Sequence, residues 1–589
     1  MRSSVLCLAL SAAFVACSGG GGTLVVGGGS SATGTPSPKV TGPPGATATP
    51  AATPTATTIA TPVATPTATP GPPTPVPMNA QLIFVNGGSN CNGGSQCFYG
   101  QYVALPGSAA IQPEIMTPRQ LAMLPNGDLI VGTGSGSPGA VVGSSNGAIY
   151  IIPNADGDPL PGTPAAFATI PDTLPQGVTY SAKSTLGPNG AIYVGATHGV
   201  YAIPYTTGMK SAPPSSIMKI FQVREPDIQS GCNPPLNITA NPSGVCNGDE
   251  DDHETTSVLA DDSRGVLFVS VGSSCNACAE TDPSDTRAVV MEVPLVGDPT
   301  SMMQGQPPQN TKWIAKRYRN ALALAQNPQT DNVWAGGAGQ DCLEPSPLPT
   351  VPSPSTPMPR SSCPAQPPAP FQDIYASNGH PYEHLDPLTV NATPATTYAN
   401  APDYGWPDCE ENHAALYRSG VTCNNSTQIL PAIEYLPYGT IIGALFYPLH
   451  PTGNYQFGTG FKGALFFSGH GSWHEDANGH PVTPPEVAYA TMSQGSDLPQ
   501  TSAQGNNYGS QGQWNPFLSN YQQPNGAMAG DRIGQPVGLA VGPQGSLFVA
   551  DSYMNAVYRV RYGVPSASSA ARRPASPAVA PRAQPVTHR

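Results

Sequence analysis

Charge is scarce in this sequence, and basic residues are scarcer than acidic ones. The 589 residues include 23 Lys and Arg against 36 Asp and Glu, so 10% are charged, where about 25% is usual in globular proteins. Exposed helix faces normally carry many Lys and Glu, so this shortage favours a turn-rich all-β protein over a helical one. The formal net charge of −13 argues against a nucleic-acid partner, which needs clustered Lys and Arg.

Apolar runs long enough to span a bilayer are also missing from the sequence. Residues 5–15 form a short apolar run that follows Arg2 and leads into Ala16-Cys17. This pattern predicts a lipoprotein signal peptide over residues 1–16 and a lipidated Cys17. The lipid would anchor the chain to a membrane of the cell envelope, on the periplasmic or extracellular face. The alternative is an ordinary signal peptide with an incidental cysteine.

The cysteines lack the surroundings of a haem or zinc site. Cys275 and Cys278 form a C-x-x-C pair, but no His follows it and no second pair stands at a suitable spacing. Of the 12 cysteines, all but Cys7 and Cys17 remain in the mature chain, an even count that favours disulfides in an exported protein. We predict pairing between sequence neighbours: Cys91–Cys97, Cys232–Cys246, Cys275–Cys278, Cys342–Cys363 and Cys409–Cys423.

Proline and glycine are abundant, with 71 and 65 residues, and much of the proline lies in low-complexity stretches. Such stretches cannot bury enough apolar surface to offset the entropy of ordering. We predict a disordered Pro/Thr/Ala-rich linker over residues 17–77 and a disordered basic tail over residues 564–589. The folded domain between them, residues 78–563, carries a Pro-rich insertion near residues 343–402.

One pattern recurs through this domain: an apolar strand, a turn rich in Asn, Asp, Pro or Gly, and a second apolar strand. Asn-Gly and Gln-Gly turns between short apolar runs predict β-hairpins. Six copies predict an all-β, six-bladed β-propeller, with one hairpin at the heart of each blade. Residues 81–85 are a predicted first strand that could close the ring, and a pair of β-sandwiches is the alternative fold. The copies lie at residues 118–133, 184–196, 256–272, 320–336, 443–469 and 536–551.

Four motifs follow one another in a characteristic order. They are Asp252-His253-Glu254 with the later Gly272-Ser273-Ser274, Tyr318-Arg319-Asn320, Tyr404-Gly405-Trp406-Pro407, and Gly469-His470-Gly471-Ser472-Trp473. The ordered set resembles the glucose/sorbosone dehydrogenases, over roughly residues 80–562. The resemblance implies a six-bladed propeller that oxidises a sugar, an aldose or a related aldehyde with pyrroloquinoline quinone (PQQ) and Ca²⁺. A quinone or a cytochrome would then take up the electrons.

The resemblance also assigns roles to individual residues. His253, preceded by Asp252, would be the base that takes the hydroxyl proton of the substrate as hydride leaves its carbon. The residues that would contact the cofactor are Arg319, Asn320, His470 and Trp473, and a guanidinium suits the carboxylates of this quinone. Gly339 and Gln340 would hold calcium through backbone carbonyls, since calcium prefers oxygen ligands.

The sequence departs from the family at positions that matter for cofactor binding. Leu322 stands where the glucose enzymes carry Gln, and Gln535 stands where an Arg often precedes the last blade. The Asn and Arg that usually follow the Gly-Ser-Trp motif are replaced by His474 and Glu475. Lys462, Arg532 or His470 could supply the missing positive charge. Two other functions remain open: a calcium-dependent lactonase and a cofactor-free binding propeller, because one fold serves many functions.

Overall fold

In the computed structural model of the chain the described residues all belong to one compact unit, within residues 69–589. Among them no α-helix occurs, and no helix could span a membrane. The described residues are 76–77, 97–107, 112–134, 147–158, 160–222, 253, 256–273, 286–296, 308, 310–339, 383–388, 395–406, 409, 432–436, 438–472, 481, 483–500, 514–519, 521–522 and 532–563.

The described chain is built from β-strands, with short 3₁₀ turns at Pro214–Ser216, Tyr398–Asn400 and Thr459–Phe461. In chain order the strands are β1 (Val76–Pro77), β2 (Cys97–Ala104), β3 (Pro118–Met123), β4 (Leu129–Thr133), β5 (Gly147–Ile152), β6 (Ala165–Ile170), β7 (Gly177–Ser181), β8 (Ala191–Ala196), β9 (Gly199–Pro204), β10 (Met218–Gln222), β11 (Thr256–Asp261), β12 (Val266–Val271), β13 (Val289–Pro294), β14 (Lys312–Lys316), β15 (Ala323–Gln326), β16 (Val333–Gly336), β17 (Glu383–Leu388), β18 (Ile433–Tyr435), β19 (Ile441–Phe446), β20 (Leu465–Gly469), β21 (Glu486–Ala490), β22 (Asn515–Ser519), β23 (Pro536–Val541), β24 (Leu547–Asp551) and β25 (Ala556–Gly563).

These strands form six antiparallel sheets, which confirms the predicted six-bladed propeller. Blades 1 to 4 are β3–β6, β7–β10, β11–β14 and β15–β18, blade 5 is β19–β22 with β1 added at its edge, and blade 6 is β23–β25 with β2. The first strands contact one another in a closed ring, β3–β7–β11–β15–β19–β23–β3. Five of the six predicted hairpins fall on the first two strands of a blade. The predicted copy at residues 184–196 covers only the second strand of blade 2, because the first strand, Gly177–Ser181, ends before that copy begins.

Strand β2 completes blade 6 by pairing with β25, so the ring is closed by residues 97–104. The strand predicted at residues 81–85 lies outside the described residues. The last two residues of the predicted linker, Val76 and Pro77, pair in parallel with β22. The rest of the linker, the signal peptide and the basic tail also lie outside the described part, and their boundaries stay predictions.

The blades are held together by apolar faces. Strands in the middle of a blade are buried on both sides, as the all-buried patterns of β4, β5 and β8 show. One apolar cluster lies between each neighbouring pair of blades, and the cluster between blades 5 and 6 is aromatic, with Phe457 stacked on Tyr447 at 4.8 Å. Burial of this kind drives folding at roughly 25 cal/mol per Å² of apolar surface.

Glycine allows the first strands to come close together at the ring. A Cβ on Gly443 would lie 2.0 Å from the carbonyl oxygen of Val537, and one on Gly538 would lie 2.1 Å from that of Arg119. Real side chains do not fit such distances, so these glycines set the spacing of blades 5, 6 and 1. The hairpin turns follow the prediction, with φ of +83° at Gly127 and +87° at Gly545.

Cys97 and Cys409 are disulfide-bonded. Their bonding partners lie outside the described residues, as do Cys91 and Cys423. The local pairing scheme therefore stays a prediction.

Candidate functional site

The predicted site residues gather on one face of the ring. We call this the upper face: it is where the first strand of each blade begins and the second strand ends, and the lower face carries the turns between those strands. His253 precedes β11, Arg319 and Asn320 precede β15, and His470 directly follows β20. Asp252, Gln340, Trp473 and Cys17 lie outside the described residues, so their predicted roles are not tested.

His253 is buried and held by one residue. Its Nδ1 lies 3.0 Å from the Ser273 carbonyl oxygen and 2.8 Å from the Ser273 hydroxyl. Burial lowers the pKa of the imidazole well below its usual value, and the positive charges of Arg319 and Arg287 lower it further. The ring is therefore neutral at physiological pH. When Nδ1–H donates to the carbonyl, the lone pair is on Nε2, the nitrogen suited to accept a proton.

A glycine brings the predicted base and the predicted cofactor residues together. A Cβ on Gly272 would lie 2.3 Å from the Cβ of His253 and 2.8 Å from Oδ1 of Asn320. The next residue, Ser273, donates its N–H to the carbonyl of Arg319 at 2.8 Å. The end of β12 thus joins His253 to the Arg319-Asn320 pair, and the three residues form one wall of the upper face.

Arg319 and Asn320 are both buried at the start of blade 4. Arg319 donates to the carbonyl of Ala338 at 3.2 Å, and Ala338 returns its N–H to the carbonyl of Asn320 at 3.2 Å. A Cβ on Gly337 would lie 1.9 Å from that same Asn320 oxygen. The turn after β16 is therefore packed directly on the Arg319-Asn320 pair.

The same turn carries Gly339, one of the two predicted calcium ligands. Its N–H donates to the carboxylate of Glu383 at 2.7 Å, and the other oxygen of Glu383 accepts the N–H of Thr440 at 3.2 Å. Glu383 is buried and thereby ties the turn of blade 4 to the start of blade 5. Among the described residues no group of three or more His, Cys, Asp or Glu side chains is arranged to hold a metal. A cation here would depend on backbone oxygens, as the resemblance implies.

Blades 5 and 6 contribute His470, Gln535 and Arg532. The side-chain amide of Gln535 donates to Nδ1 of His470 at 3.0 Å, and Arg532 donates to the carbonyl of Ser472. Gln535, which replaces a basic residue of the family, therefore positions His470. Of the three residues suggested as sources of positive charge, Arg532 and His470 lie on the upper face, but Lys462 does not. It lies in the turn between β19 and β20, beside Tyr562 on the lower face.

Gln120, Ser257 and Leu322, which we call the plug, are joined by hydrogen bonds at the first strands of blades 1, 3 and 4. The Gln120 side chain donates to the carbonyls of Leu322 at 3.2 Å and Ile442 at 2.5 Å, and the Ser257 hydroxyl donates to Leu322 at 2.7 Å. The Leu322 side chain packs in the apolar cluster with Ile442 and Val537. Leu322, which departs from the family pattern, thus belongs to the apolar floor of the ring.

Three residues of the upper face were not predicted: Arg119, Arg287 and Glu383. No motif marks them, although Arg119 stands second in the first repeat, where a charged residue at the start of an inner strand was a usable signal. Four buried polar atoms of this face have no hydrogen-bond partner among the described residues: Arg119 Nε, Thr256 Oγ1, Ser472 Oγ and Asp551 Oδ2. Buried polar groups are normally paired, so these atoms favour a polar ligand on this face.

No protein-family model matches the chain, and no curated protein matches it. Solved structures do share its fold. One is the calcium structure of a Trichoderma reesei carbohydrate-active enzyme of family AA12, with a TM-score of 0.50, 16% identity and coverage of 80% of this chain and 97% of that one. Another is the holo form of the pyranose dehydrogenase PQQ domain from Coprinopsis cinerea, also with a TM-score of 0.50 and 16% identity, covering 80% and 99%. At this identity the likeness confirms the predicted fold.

Proposed function

We propose that the protein oxidises a sugar or a related aldehyde with pyrroloquinoline quinone as cofactor and Ca²⁺ beside it. The observation that carries this proposal is the wall on which a buried neutral imidazole, His253, adjoins the Arg319-Asn320 pair. A dehydrogenase needs a proton acceptor next to the place where hydride leaves the substrate. Of the structures that share the fold, one is named as a pyranose dehydrogenase PQQ domain and another as a calcium structure of a carbohydrate-active enzyme, which supports this proposal.

The described residues suit a polycarboxylate cofactor. Arg319, His470 and Arg532 put positive or hydrogen-bonding groups on blades 4, 5 and 6 of one face, and Arg119 adds another on blade 1. The unpartnered Nε of Arg119 is the kind of buried donor that an acidic ligand would satisfy. Bound there, the quinone would accept hydride, and calcium held by backbone oxygens near Gly339 would polarise its carbonyl.

Residues of the chain would supply the proton acceptor, orient the cofactor and form the floor of the site. His253 would take the proton of the substrate hydroxyl at Nε2, while Ser273 keeps Nδ1 in place. Arg319 and Asn320 would orient the cofactor, since they are fixed by the turn at residues 337–339. The plug of Gln120 and Leu322 would keep the floor of the site closed, so ligands would enter from the upper face.

Calorimetry with purified protein tests the proposal. We expect pyrroloquinoline quinone to bind in the presence of calcium and to bind much more weakly in EDTA. The loaded protein should then reduce an artificial electron acceptor with at least one member of a panel of aldoses. If the folded protein binds no quinone with calcium present, the proposed dehydrogenase function is wrong, and a cofactor-free binding propeller becomes the better description.

We also propose that Cys17 carries a lipid and that the propeller works at the cell envelope. The support is the short apolar run that ends at this cysteine, ahead of a Pro-rich spacer. A membrane-held domain would pass electrons to a quinone or cytochrome of the same membrane. Labelled lipid should enter the full-length chain and not the Cys17→Ser variant, and equal labelling of both would refute the anchor.

A further inference from the structure

Arg119 lies across the ring from the wall that carries His253. It is the second residue of β3, the first strand of blade 1, and blade 1 is three positions from blade 4 in the ring of six. Arg319, at the start of blade 4, therefore faces Arg119 from the opposite side of the upper face. A ligand centred on the axis would have one guanidinium on each side.

The guanidinium of Arg119 has no counter-charge among the described residues. Its Nε is buried without a hydrogen-bond partner, and the group forms no ion pair with any described residue. Burial lowers the pKa of this guanidinium to about 10, so the group still carries its charge at neutral pH. The side chain as a whole remains partly exposed, so a ligand can reach it. Holding such a charge costs stability unless a ligand supplies the missing anion.

The surrounding backbone holds Arg119 in place. Its neighbour Gln120 donates its N–H to the carbonyl of Gln176 at 3.2 Å, and Gly538 of blade 6 packs against the carbonyl of Arg119. A Cβ on Gly134 would lie 3.0 Å from Arg119 Nε, so a glycine leaves room for the guanidinium. The arginines of the lower face are different, since Arg264 pairs with Asp261 and Arg561 pairs with Asp158.

We propose that Arg119 binds a carboxylate of a ligand lying over the ring axis, as a second anionic subsite opposite Arg319. This inference rests on the proposed function in taking the upper face as the ligand site. A guanidinium binds carboxylate through two parallel hydrogen bonds, and a rigid ligand with carboxylates at opposite ends would reach both arginines. The carboxylate could belong to the quinone cofactor or to an acidic sugar, such as a uronate, bound as substrate.

The test compares Arg119→Gln with Lys462→Gln, which removes one positive charge from the lower face. The probes are pyrroloquinoline quinone with calcium, the redox-inert benzene-1,3,5-tricarboxylate in EDTA, and D-glucuronate against D-glucose. Since charge-assisted hydrogen bonds contribute about 1.5–3 kcal/mol, we expect Arg119→Gln to weaken binding of the tricarboxylate about 10- to 100-fold. Lys462→Gln should change it less than about 2-fold, because the charge it removes is exposed to solvent.

The two sources of the carboxylate give different results. If the cofactor supplies it, the calorimetric Kd of the quinone rises in Arg119→Gln without any sugar present. If the substrate supplies it, the quinone Kd is unchanged, but KM for D-glucuronate rises while KM for D-glucose stays the same. Arg119→Lys keeps the charge but loses the planar guanidinium that forms two parallel hydrogen bonds. Its affinity for the carboxylate ligand should therefore lie between those of the parent and Arg119→Gln.

Stability provides a readout that does not depend on activity. Because the unpaired guanidinium costs stability in the free protein, Arg119→Gln should melt at the same temperature or higher, with its upper face intact. If the unsubstituted protein binds the inert tricarboxylate through Arg119 but binds no quinone, this inference is supported and the proposed dehydrogenase function is refuted. If Arg119→Gln matches Lys462→Gln with the quinone, the tricarboxylate and glucuronate, the inference is overturned.

Discussion

The two faces of the propeller treat charge differently. On the lower face, Asp156 of blade 1 accepts hydrogen bonds from Ser546 and Arg561 of blade 6, so the charges are paired across a blade boundary. On the upper face, Arg319 donates to a backbone carbonyl, and Arg119 has no ion pair among the described residues. Asp156 thus connects two blades, whereas Arg119 has no carboxylate partner among the described residues. Other charges of the upper face are paired, as in Arg317–Asp403 and His198–Asp172.

Two carboxyl groups of the lower face and one of the upper face have pKa shifts in opposite directions, although the pKa of Asp172 on the upper face is also lowered by hydrogen bonds that outweigh its burial. Burial raises the pKa of Asp158 and Asp497 on the lower face, but hydrogen bonds from Arg561 to the first and from Asn332 and other donors to the second bring it below the ordinary value. On the upper face, burial raises the pKa of Glu486 to about 7, and its hydrogen bond with Tyr435 offsets only part of this effect. Groups that cost stability collect where a site is expected, as functional sites often do.

Substitution of the proposed base should have the largest effect on activity. We expect His253→Ala to lower turnover by about 10²- to 10⁴-fold, the usual contribution of a general base. Quinone binding should survive, because this residue faces the substrate. His450→Ala, in an exposed turn of the lower face, is the matched control and should leave turnover unchanged. Equal turnover of His253→Ala and the parent would remove His253 from the mechanism.

The dependence of kcat/KM on pH provides a second test of His253 as the base. The pKa of His253 is held well below its usual value of 6.5, so the imidazole stays neutral as the pH falls through that value. We therefore expect kcat/KM to show no loss of a base near pH 6.5. An acid limb centred there, absent from His253→Ala, would mean that the imidazole titrates normally.

The lower face should show the largest effect on stability. Asp156→Asn leaves Arg561 and Arg559 buried beside a neutral amide, and breaking a buried pair costs about 3 kcal/mol or more. Asp158→Asn removes a carboxylate that is 45% exposed and should cost less than about 1 kcal/mol. Denaturant unfolding of both variants measures the difference. If Asp156→Asn lost ligand binding without losing stability, the assignment of the lower-face pair to stability would be wrong.

Substitution of an upper-face arginine should weaken quinone binding, whereas substitution of a lower-face arginine should lower thermal stability. Arg319→Ala should weaken quinone binding by about 2 kcal/mol, since it removes a charge-assisted contact. Arg264→Ala, which loses its ion pair with Asp261 on the lower face, should lower the melting temperature and leave the quinone Kd unchanged. Calorimetry measures the quinone Kd of both variants, and thermal unfolding measures their stability. A similar loss of quinone binding in both would contradict the assignment of Arg319 alone to the ligand site.

The last prediction concerns Glu486, whose effect appears only above its ordinary pKa. The unfolded chain ionises this carboxyl near pH 4.5, but the folded protein keeps the proton up to about pH 7, so the free energy of unfolding falls as pH rises through that window. Glu486→Gln keeps an acceptor for Tyr435 and removes this loss. Since one pKa unit corresponds to about 1.4 kcal/mol, we expect it to be about 3 kcal/mol more stable than the parent at pH 8 and equal to it at pH 4. A constant difference across pH would show that the carboxyl titrates normally.

The blades were predictable because each hairpin carries its own local signal. Gly127 and Gly545 occupy turns that need positive φ, and apolar strands flank them. The closing strand, residues 97–104, gave no such signal. Its Gln101 reads as a polar break in the pattern, yet this residue is buried because Arg559, from the other end of the chain, donates to its side-chain oxygen at 2.9 Å.

The candidate site was predictable only where motifs mark it. His253, Arg319 and Asn320 stand in recurring sequence patterns, and the structure brings them onto one wall. Arg119 and Glu383 could not be found in this way. Arg119 owes its position to the closed ring of first strands, and Glu383 lies where blade 4 meets blade 5, so neither position can be found from a local pattern in the sequence.

The pairing of β2 with β25 has a consequence for how the molecule is made. Gln101 and Arg559 are 458 residues apart in sequence, and blade 6 cannot be completed before both have emerged. A chain synthesised from its N-terminus must keep β2 without its partner until the very end, with an open strand edge that can pair wrongly with other chains. Contacts of such long range are slow to form. We therefore expect ring closure to limit the rate of folding, and loss of the last strand, Ala556–Gly563, to leave five blades and an unfinished sixth exposed to aggregation.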